Sequence, residues 1–180
     1  MTKKIQLIIG STRQHRISPA IAEWVQSQVA GNDAIDLEVI DLKAVNLPLF
    51  DEPTIPSVAP GTSEAAVAWA AKIASADAVI ILASEYNAGY SAPLKNAIDY
   101  LKAEWNEHPV AIVSYGYSRG ASAAAQLHQV FTRLNAQIID SNVAIDIGPI
   151  LNASGGIDDA KESLAPYNDA LQALLAKLAA

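Results

Sequence analysis

Short apolar runs alternate with longer stretches of helical periodicity along this chain. Ile5 to Ile9 reads as a buried strand, and Pro19 to Val25 as the helix that follows it. Ile35 to Ile40 alternates apolar and acidic positions, the pattern of a half-exposed edge strand. Ser63 and Glu64 open a helix running to Ala74, and Asp77 to Ala83 is a strand apolar on both faces. Ser91 to Ala103 reads as a helix with Pro93 in its first turn. Val110 to Val113 is another buried strand, and Gly120 to Leu134 another helix. A weaker strand lies somewhere in Ile138 to Ile147. Ala160, Leu164, Tyr167, Leu171, Leu174 and Leu178 recur at helical spacing, so a last helix packs one face on the sheet.

Five strands and five helices in strict alternation predict an α/β fold. The expected form is a single-domain, doubly wound, five-stranded parallel sheet over residues 1–180, in the flavodoxin-like order 2-1-3-4-5. Between Asn46 and Ser63, Pro48, Pro53, Pro56 and Pro60 leave no room for a regular element. Loops of this length are usually functional, so the segment reads as a rim or lid near a site. Ligands of such sheets bind at the carboxyl ends of the strands. Three loops should meet there: Gly10 to Ser18, Ser84 to Tyr90, and Ser114 to Gly120.

Composition narrows the chemistry. A chain of 180 residues, 51% apolar and 17% charged, suits one globular domain. The net charge of −7 argues against nucleic acid or an anionic membrane as partner. No apolar run is long enough to span a bilayer, and the N-terminus enters a strand without a signal-peptide core, so the expected address is cytoplasmic. The lack of cysteine excludes disulfides, thiol nucleophiles and cysteine-ligated metals. His15, His108 and His128 have no metal-ligand spacing, so no metal is expected and each reads as surface or a satisfied contact. Asp77, Asp99 and Asp146 read as caps or turn residues, Trp24 and Trp69 as packing, and Trp105 as a candidate interface residue.

The first loop is built to hold a phosphate. It joins a buried strand to a helix, so free backbone N–H groups and the positive helix end converge there. Ser11, Thr12 and Ser18 add hydroxyls around Ile17, and Gly10 lets the backbone turn sharply and approach an anion. Arg13 and Arg16 supply two cations, about the number that a terminal phosphate monoester needs. The loop lacks the closing Gly-Lys-Ser/Thr of a P-loop and the three glycines of a dinucleotide fold, so a monophosphate such as that of FMN fits best.

In the second loop, Glu85, Tyr86, Asn87 and Gly89 can bind the edge of a flat heterocycle through backbone N–H groups, with Tyr86 and Tyr90 shielding it. The third, Ser114-Tyr115-Gly116-Tyr117-Ser118-Arg119-Gly120, contains a G-x-S-x-G match to a nucleophile elbow. A hydrolase would need an acid and then a histidine further on. His128 is the only later histidine, and it lies on the helix the elbow begins, with no Asp or Glu between. A serine without a base is no nucleophile, so Ser114, Tyr115 and Gly116 read instead as the wall of a ligand crevice.

Taken together, the three loops resemble those of the NADPH-dependent FMN reductase family, which includes flavin, quinone, chromate and azo reductases. The resemblance rests on Gly10-Ser11-Thr12-Arg13, on Glu85-Tyr86-Asn87 with Leu94-Lys95-Asn96-Ala97-Ile98-Asp99, and on Val113-Ser114-Tyr115-Gly116 with Gln126-Leu127. It implies a flavodoxin-like fold, non-covalent FMN, and a homodimer or homotetramer in which a neighbour helps cover the flavin. The implied activity is hydride transfer from NADPH or NADH through FMN to a quinone, azo compound, metal oxyanion or free flavin. No side chain is needed as an acid or base. A flavodoxin-type electron carrier, without turnover of its own on NAD(P)H, is the alternative. The chain departs from the family pattern at Ser84, where proline is usual, at Tyr117 and Ala121, and at His128, where arginine is common.

Overall fold

In a computed structural model of the chain, which describes residues 1–141 and 143–180, the sheet runs in the order β2-β1-β3-β4-β5, all parallel. Its strands are β1 (Lys3–Ile9), β2 (Ile35–Asp41), β3 (Ala78–Ser84), β4 (Pro109–Gly116) and β5 (Gln137–Ile139). A sixth strand, β6 (Ala144–Asp146), also pairs with β4 in parallel. The single weak strand expected between Ile138 and Ile147 is therefore two short ones, and Asn142 within that span lies outside the described residues. β5 pairs with the start of β4 at Pro109 to Ala111, and β6 with its end at Ser114 to Gly116. The two short strands engage different halves of β4, a division that periodicity over so few residues cannot reveal.

The helices are α1 (Ser18–Val29), α2 (Leu42–Val45), α3 (Glu64–Ala74), α4 (Ala92–Asp99), α5 (Ala121–Arg133), α6 (Ala160–Ser163) and α7 (Asn168–Ala179). They enclose two apolar clusters, one on each face of the sheet. Ile5, Leu7, Ile80 and Leu82 pack with α1 and α7, while Ile8, Val79 and Ile81 pack with α3, α4 and α5. β3 is buried along its whole length, which is why it reads as apolar on both faces.

Two helices are shorter than expected. α4 ends at Asp99 rather than Ala103, and the chain turns so that Trp105 buries completely against Phe131. Its indole N–H donates to the Ile98 carbonyl, so Trp105 is core and not interface. The last helix is broken because Pro166 supplies no N–H; a short 3₁₀ turn at Ala165–Tyr167 separates α6 from α7. Leu164, Leu171, Leu174 and Leu178 still share the buried face. The aspartates serve structure: Asp77 accepts the Lys4 N–H, Asp99 pairs with Lys95, and Asp146 accepts the Gly148 N–H.

His108 sits just before β4, at the end of the sheet opposite the carboxyl edge. It is half-buried, and its Nε2 has no partner among the described residues, so it is not the satisfied contact expected. Burial lowers its pKa below 6.5, and the charge of Asp77 opposes this only in part. Just below 6.5 the unfolded chain therefore binds more protons than the folded one, and stability falls as the pH drops through that window. His108→Phe is expected to lessen the loss of urea-unfolding stability as the pH falls just below 6.5.

Candidate functional site

Gly10 arrives at the carboxyl edge with its N–H donating to the Leu82 carbonyl of β3 and its carbonyl accepting the Ser91 hydroxyl. A Cβ there would stand 3.0 Å from Leu94 Cδ2 and 3.1 Å from the Leu82 oxygen. The glycine answers to the close approach of α4 rather than to a turn toward an anion. Beyond it, the two arginines have different surroundings. Arg16 is mostly buried: Nη1 donates to the Ser11 carbonyl at 2.7 Å and to Asp41 Oδ1 at 2.8 Å, and Nη2 pairs with Asp41 Oδ2. Its charge is already compensated, so the loop does not offer two equivalent cations. Arg13 is exposed and has no ion pair among the described residues.

Behind the loop lies a cluster of hydroxyls. Ser18, at the start of α1, and Ser84, at the end of β3, are buried, and neither Oγ has a hydrogen-bond partner among the described residues. The Ser11 hydroxyl meets the Tyr86 phenol at 2.6 Å. Burial pushes the Tyr115 phenol above its ordinary pKa, and the neighbouring hydroxyls of Ser18, Ser84 and Ser11 pull the other way. Orphaned buried hydroxyls are costly. Two beside an anion-binding loop suit a phosphate and the polyol chain attached to it. Thr12 faces elsewhere, toward a hollow bordered by Leu42 and Asn96.

The second loop is a tight reversal. Tyr86 and Gly89 exchange both backbone hydrogen bonds, at 2.7 and 2.9 Å, and the residues between them, Asn87 and Ala88, have φ of 47° and 62°. Positive φ at both central residues marks a type I′ turn. The left-handed positions are therefore Asn87 and Ala88, not Gly89 as glycine chemistry alone suggests. What favours glycine at 89 is Gln126, whose Oε1 would lie 3.0 Å from a Cβ there and whose Nε2 donates to the Ala88 carbonyl. The N–H groups of Asn87 and Ala88 are exposed and make no hydrogen bond among the described residues. Tyr86 faces Gly89 across the turn, so Tyr90, one residue on, points to the other side and packs with the α3–α5 cluster. It does not shield the same space as Tyr86.

The third loop closes on itself. The Ser114 hydroxyl donates to the Arg119 carbonyl at 2.7 Å, and the Arg119 N–H to the Gly116 carbonyl at 2.9 Å. Glu85 reaches across to accept the Ser122 N–H in the first turn of α5, tying the second loop to the third.

A cavity of about 300 Å³ opens where these loops meet, at the lower end of the range for small-molecule sites. Of the residues singled out from sequence, Ser11, Arg13, Arg16, Ile17, Glu85, Tyr86, Tyr115 and Gly116 line it. Ser18 lies behind the wall, and Asn87, Gly89, Tyr90 and Ser114 do not border it. His15, Ser84, Tyr117, Ile147, Leu151, Ser154 and Gly155 complete the lining. The wall from Ile147 to Gly155 is shaped by Asn152, whose Oδ1 accepts the N–H groups of Ser154 and Gly156. The proline-rich segment 46–63 does not border the cavity: Asn96 and Tyr100 hold the Pro48 carbonyl, and Glu52 holds Thr62 and Ser63.

A larger hollow, about 660 Å³, lies between α5 and β5–β6, touches neither of the first two loops, and is lined largely by alanine, isoleucine and valine. Ser118 and His128 both border it without a hydrogen bond between them; His128 Nδ1 instead lies 3.5 Å from Thr132 Oγ1. Ser118→Ala is accordingly expected to leave NADPH oxidation within a few-fold of wild type. Esterase activity that disappears with this substitution would restore the nucleophile.

A doubly wound parallel sheet in the order 2-1-3-4-5, with a hydroxyl-lined cavity at its carboxyl edge, has flavodoxin-like architecture. Residues 3–149 match the family model of NADPH-dependent FMN reductase, and the chain belongs to this family of oxidoreductases. It is 38% identical to an NAD(P)H-dependent FMN reductase of Schizosaccharomyces pombe, over 90% of this chain and 82% of the relative. It is 31% identical to an NAD(P)H-dependent FMN reductase of Saccharomyces cerevisiae, over 96% and 95% of the two chains. Among solved structures, the flavoenzyme NAD(P)H:(acceptor) oxidoreductase FerB of Paracoccus denitrificans superposes with a TM-score of 0.75 at 20% identity, over 98% of this chain and 97% of that one. Family membership selects a reductase over an electron carrier, with FMN as cofactor and NADPH or NADH as donor.

Proposed function

We propose that the 300 Å³ cavity is the FMN site and that the protein uses NAD(P)H to reduce small electron acceptors there. The observation that carries this reading is that Arg13, unpaired among the described residues, and the orphaned hydroxyl of Ser84 line one strand-end cavity, with the orphaned Ser18 hydroxyl behind its wall. FMN held there would supply the two-electron redox chemistry that links the nicotinamide to the acceptor. Arg13 and Ser11 bind the phosphate, with Arg16 beside them and Ser18 behind the wall. Ile17 and Tyr86 cover apolar surface, and Tyr115 and Gly116 form the opposite wall. Asn87 and Ala88 lie outside the cavity lining, and their unbonded N–H groups would serve as donors to a heterocycle edge that extends past the cavity beside Tyr86. Gly89, Tyr90 and Ser114 shape the loops from behind.

Relatives named for an azo reduction and for a benzoquinone reduction support quinones and azo compounds as the acceptor class. Metal oxyanions and free flavin belong to the same proposal. We place the reaction in the cytoplasm, where reduced nicotinamide is plentiful; no described helix is long and apolar enough to cross a membrane. The test is steady-state NADPH oxidation with benzoquinone, with and without added FMN. With protein first stripped of flavin, turnover that returns only on adding FMN supports the reading, and full turnover of the flavin-free protein contradicts it.

A homodimer or homotetramer is part of the same proposal. Leu49, Ile55 and Val58 expose 83%, 59% and 73% of their surface on the proline-rich segment. Large apolar side chains this exposed along one segment are suited to a protein–protein contact. Leu49→Glu is expected to shift the mass in analytical ultracentrifugation toward the monomer.

A further inference from the structure

The guanidinium of Arg16 has two edges that can each grip an oxyanion with a pair of N–H groups: the end formed by Nη1 and Nη2, and the side formed by Nε and Nη2. Asp41, the last residue of β2, occupies the end: Oδ1 takes Nη1 at 2.8 Å and Oδ2 takes Nη2. The second Nη1 proton goes to the Ser11 carbonyl at 2.7 Å. Three of the five N–H groups are thereby committed. The two that remain, Nε–H and one on Nη2, are the side edge, intact on a side chain that lines the cavity. Asp41 is itself held, because Oδ1 also accepts the Lys43 N–H that begins α2.

We propose that Asp41 is a positioning residue for the phosphate subsite, seating on one edge of Arg16 so that the other is presented to a phosphate monoester. This rests on the cavity being the FMN site. The side chain of Arg16 is only 11% exposed, so its charge needs a compensating partner before any ligand arrives. With Asp41 supplying that partner, the guanidinium plane is fixed and need not reorganise when phosphate binds. Asp41 also compensates the charge of Arg16, which leaves Arg13 as the uncommitted cation of the loop. The bidentate geometry of the side edge, rather than net charge, is then what Arg16 contributes.

The test compares FMN with riboflavin, which lacks the phosphate, by equilibrium titration of the full chain. Asn retains the ability to cap α2 but offers only one acceptor oxygen to the fork. Asp41→Asn is expected to weaken FMN binding about tenfold and leave riboflavin binding unchanged. Arg16→Lys keeps the charge without the fork and is expected to show the same selective loss, with little added by combining the two substitutions. Equal weakening of both flavins would make Asp41 merely structural. Unchanged or tighter FMN binding in Asp41→Asn would show that the carboxylate is neutral or repels the phosphate. If Asp41→Asn does not fold, Arg16→Lys decides alone, and full retention of FMN preference there overturns the proposal. A wild-type protein that binds FMN no better than riboflavin would instead overturn the phosphate reading beneath it.

Discussion

Arg13→Ala is expected to weaken FMN binding by about 1.5–3 kcal/mol, roughly ten- to a hundredfold in affinity. Arg13 is exposed at the cavity mouth and unpaired among the described residues, so its removal leaves no buried partner behind. The loss is the charge-assisted contact with the phosphate alone. Riboflavin should bind poorly to wild type and be almost indifferent to the substitution. Flavin-fluorescence titrations at fixed salt check both halves, because an exposed cation is screened as ionic strength rises. Overlapping FMN curves for the variant and wild type would remove Arg13 from the site.

Gly120→Ala is expected to cost about 2–4 kcal/mol of folding stability. Two penalties combine at this position. Its φ is +70°, a region that costs a residue with a side chain about 1–2 kcal/mol. A Cβ would also stand 2.7 Å from both Ser114 Cβ and Tyr115 N, atoms of the fully paired interior strand β4 that cannot retreat cheaply. Because Gly120 caps α5 and Tyr115 and Gly116 line the cavity, FMN affinity should fall as well. Urea unfolding reads the first effect and titration the second. Gly31, at φ +81° with open space around it, is the control: Gly31→Ala pays the backbone strain without the clash and should lose only about 1–2 kcal/mol.

Much of the architecture was legible because it rests on periodicities that span whole elements. The apolar runs of β1, β3 and β4 and the alternation of β2 mark buried and edge strands, since each is long enough to display its environment, and their alternation with helices points to the flavodoxin-like order. Where segments are short or the deciding partner is distant in sequence, the reading went astray. β5 and β6 have three residues each, too few for a pattern. Trp105 is core because Phe131, on another helix, packs against it. The three loops of the site were recognisable as loops, but not the commitments of their side chains. Arg16 is taken by Asp41, 25 residues away, and the Ser114 hydroxyl is spent within its own loop. The wall from Ile147 to Gly155 carried one faint signal, the Asn-Ala-Ser-Gly-Gly run at 152–156, which reads only as a turn. In the second loop, the left-handed residues are Asn87, a favoured type at such positions, and Ala88, a disfavoured one. That strain became visible only with the backbone.

The central claim is that FMN bound in the strand-end cavity accepts electrons from NAD(P)H. The most direct measurement is anaerobic stopped-flow absorbance of the FMN-loaded wild-type protein mixed with NADPH, and separately with NADH. The yellow flavin absorbance is expected to bleach in a single turnover with at least one of the two donors and to return when benzoquinone is added. Persistent flavin colour with both donors would contradict it.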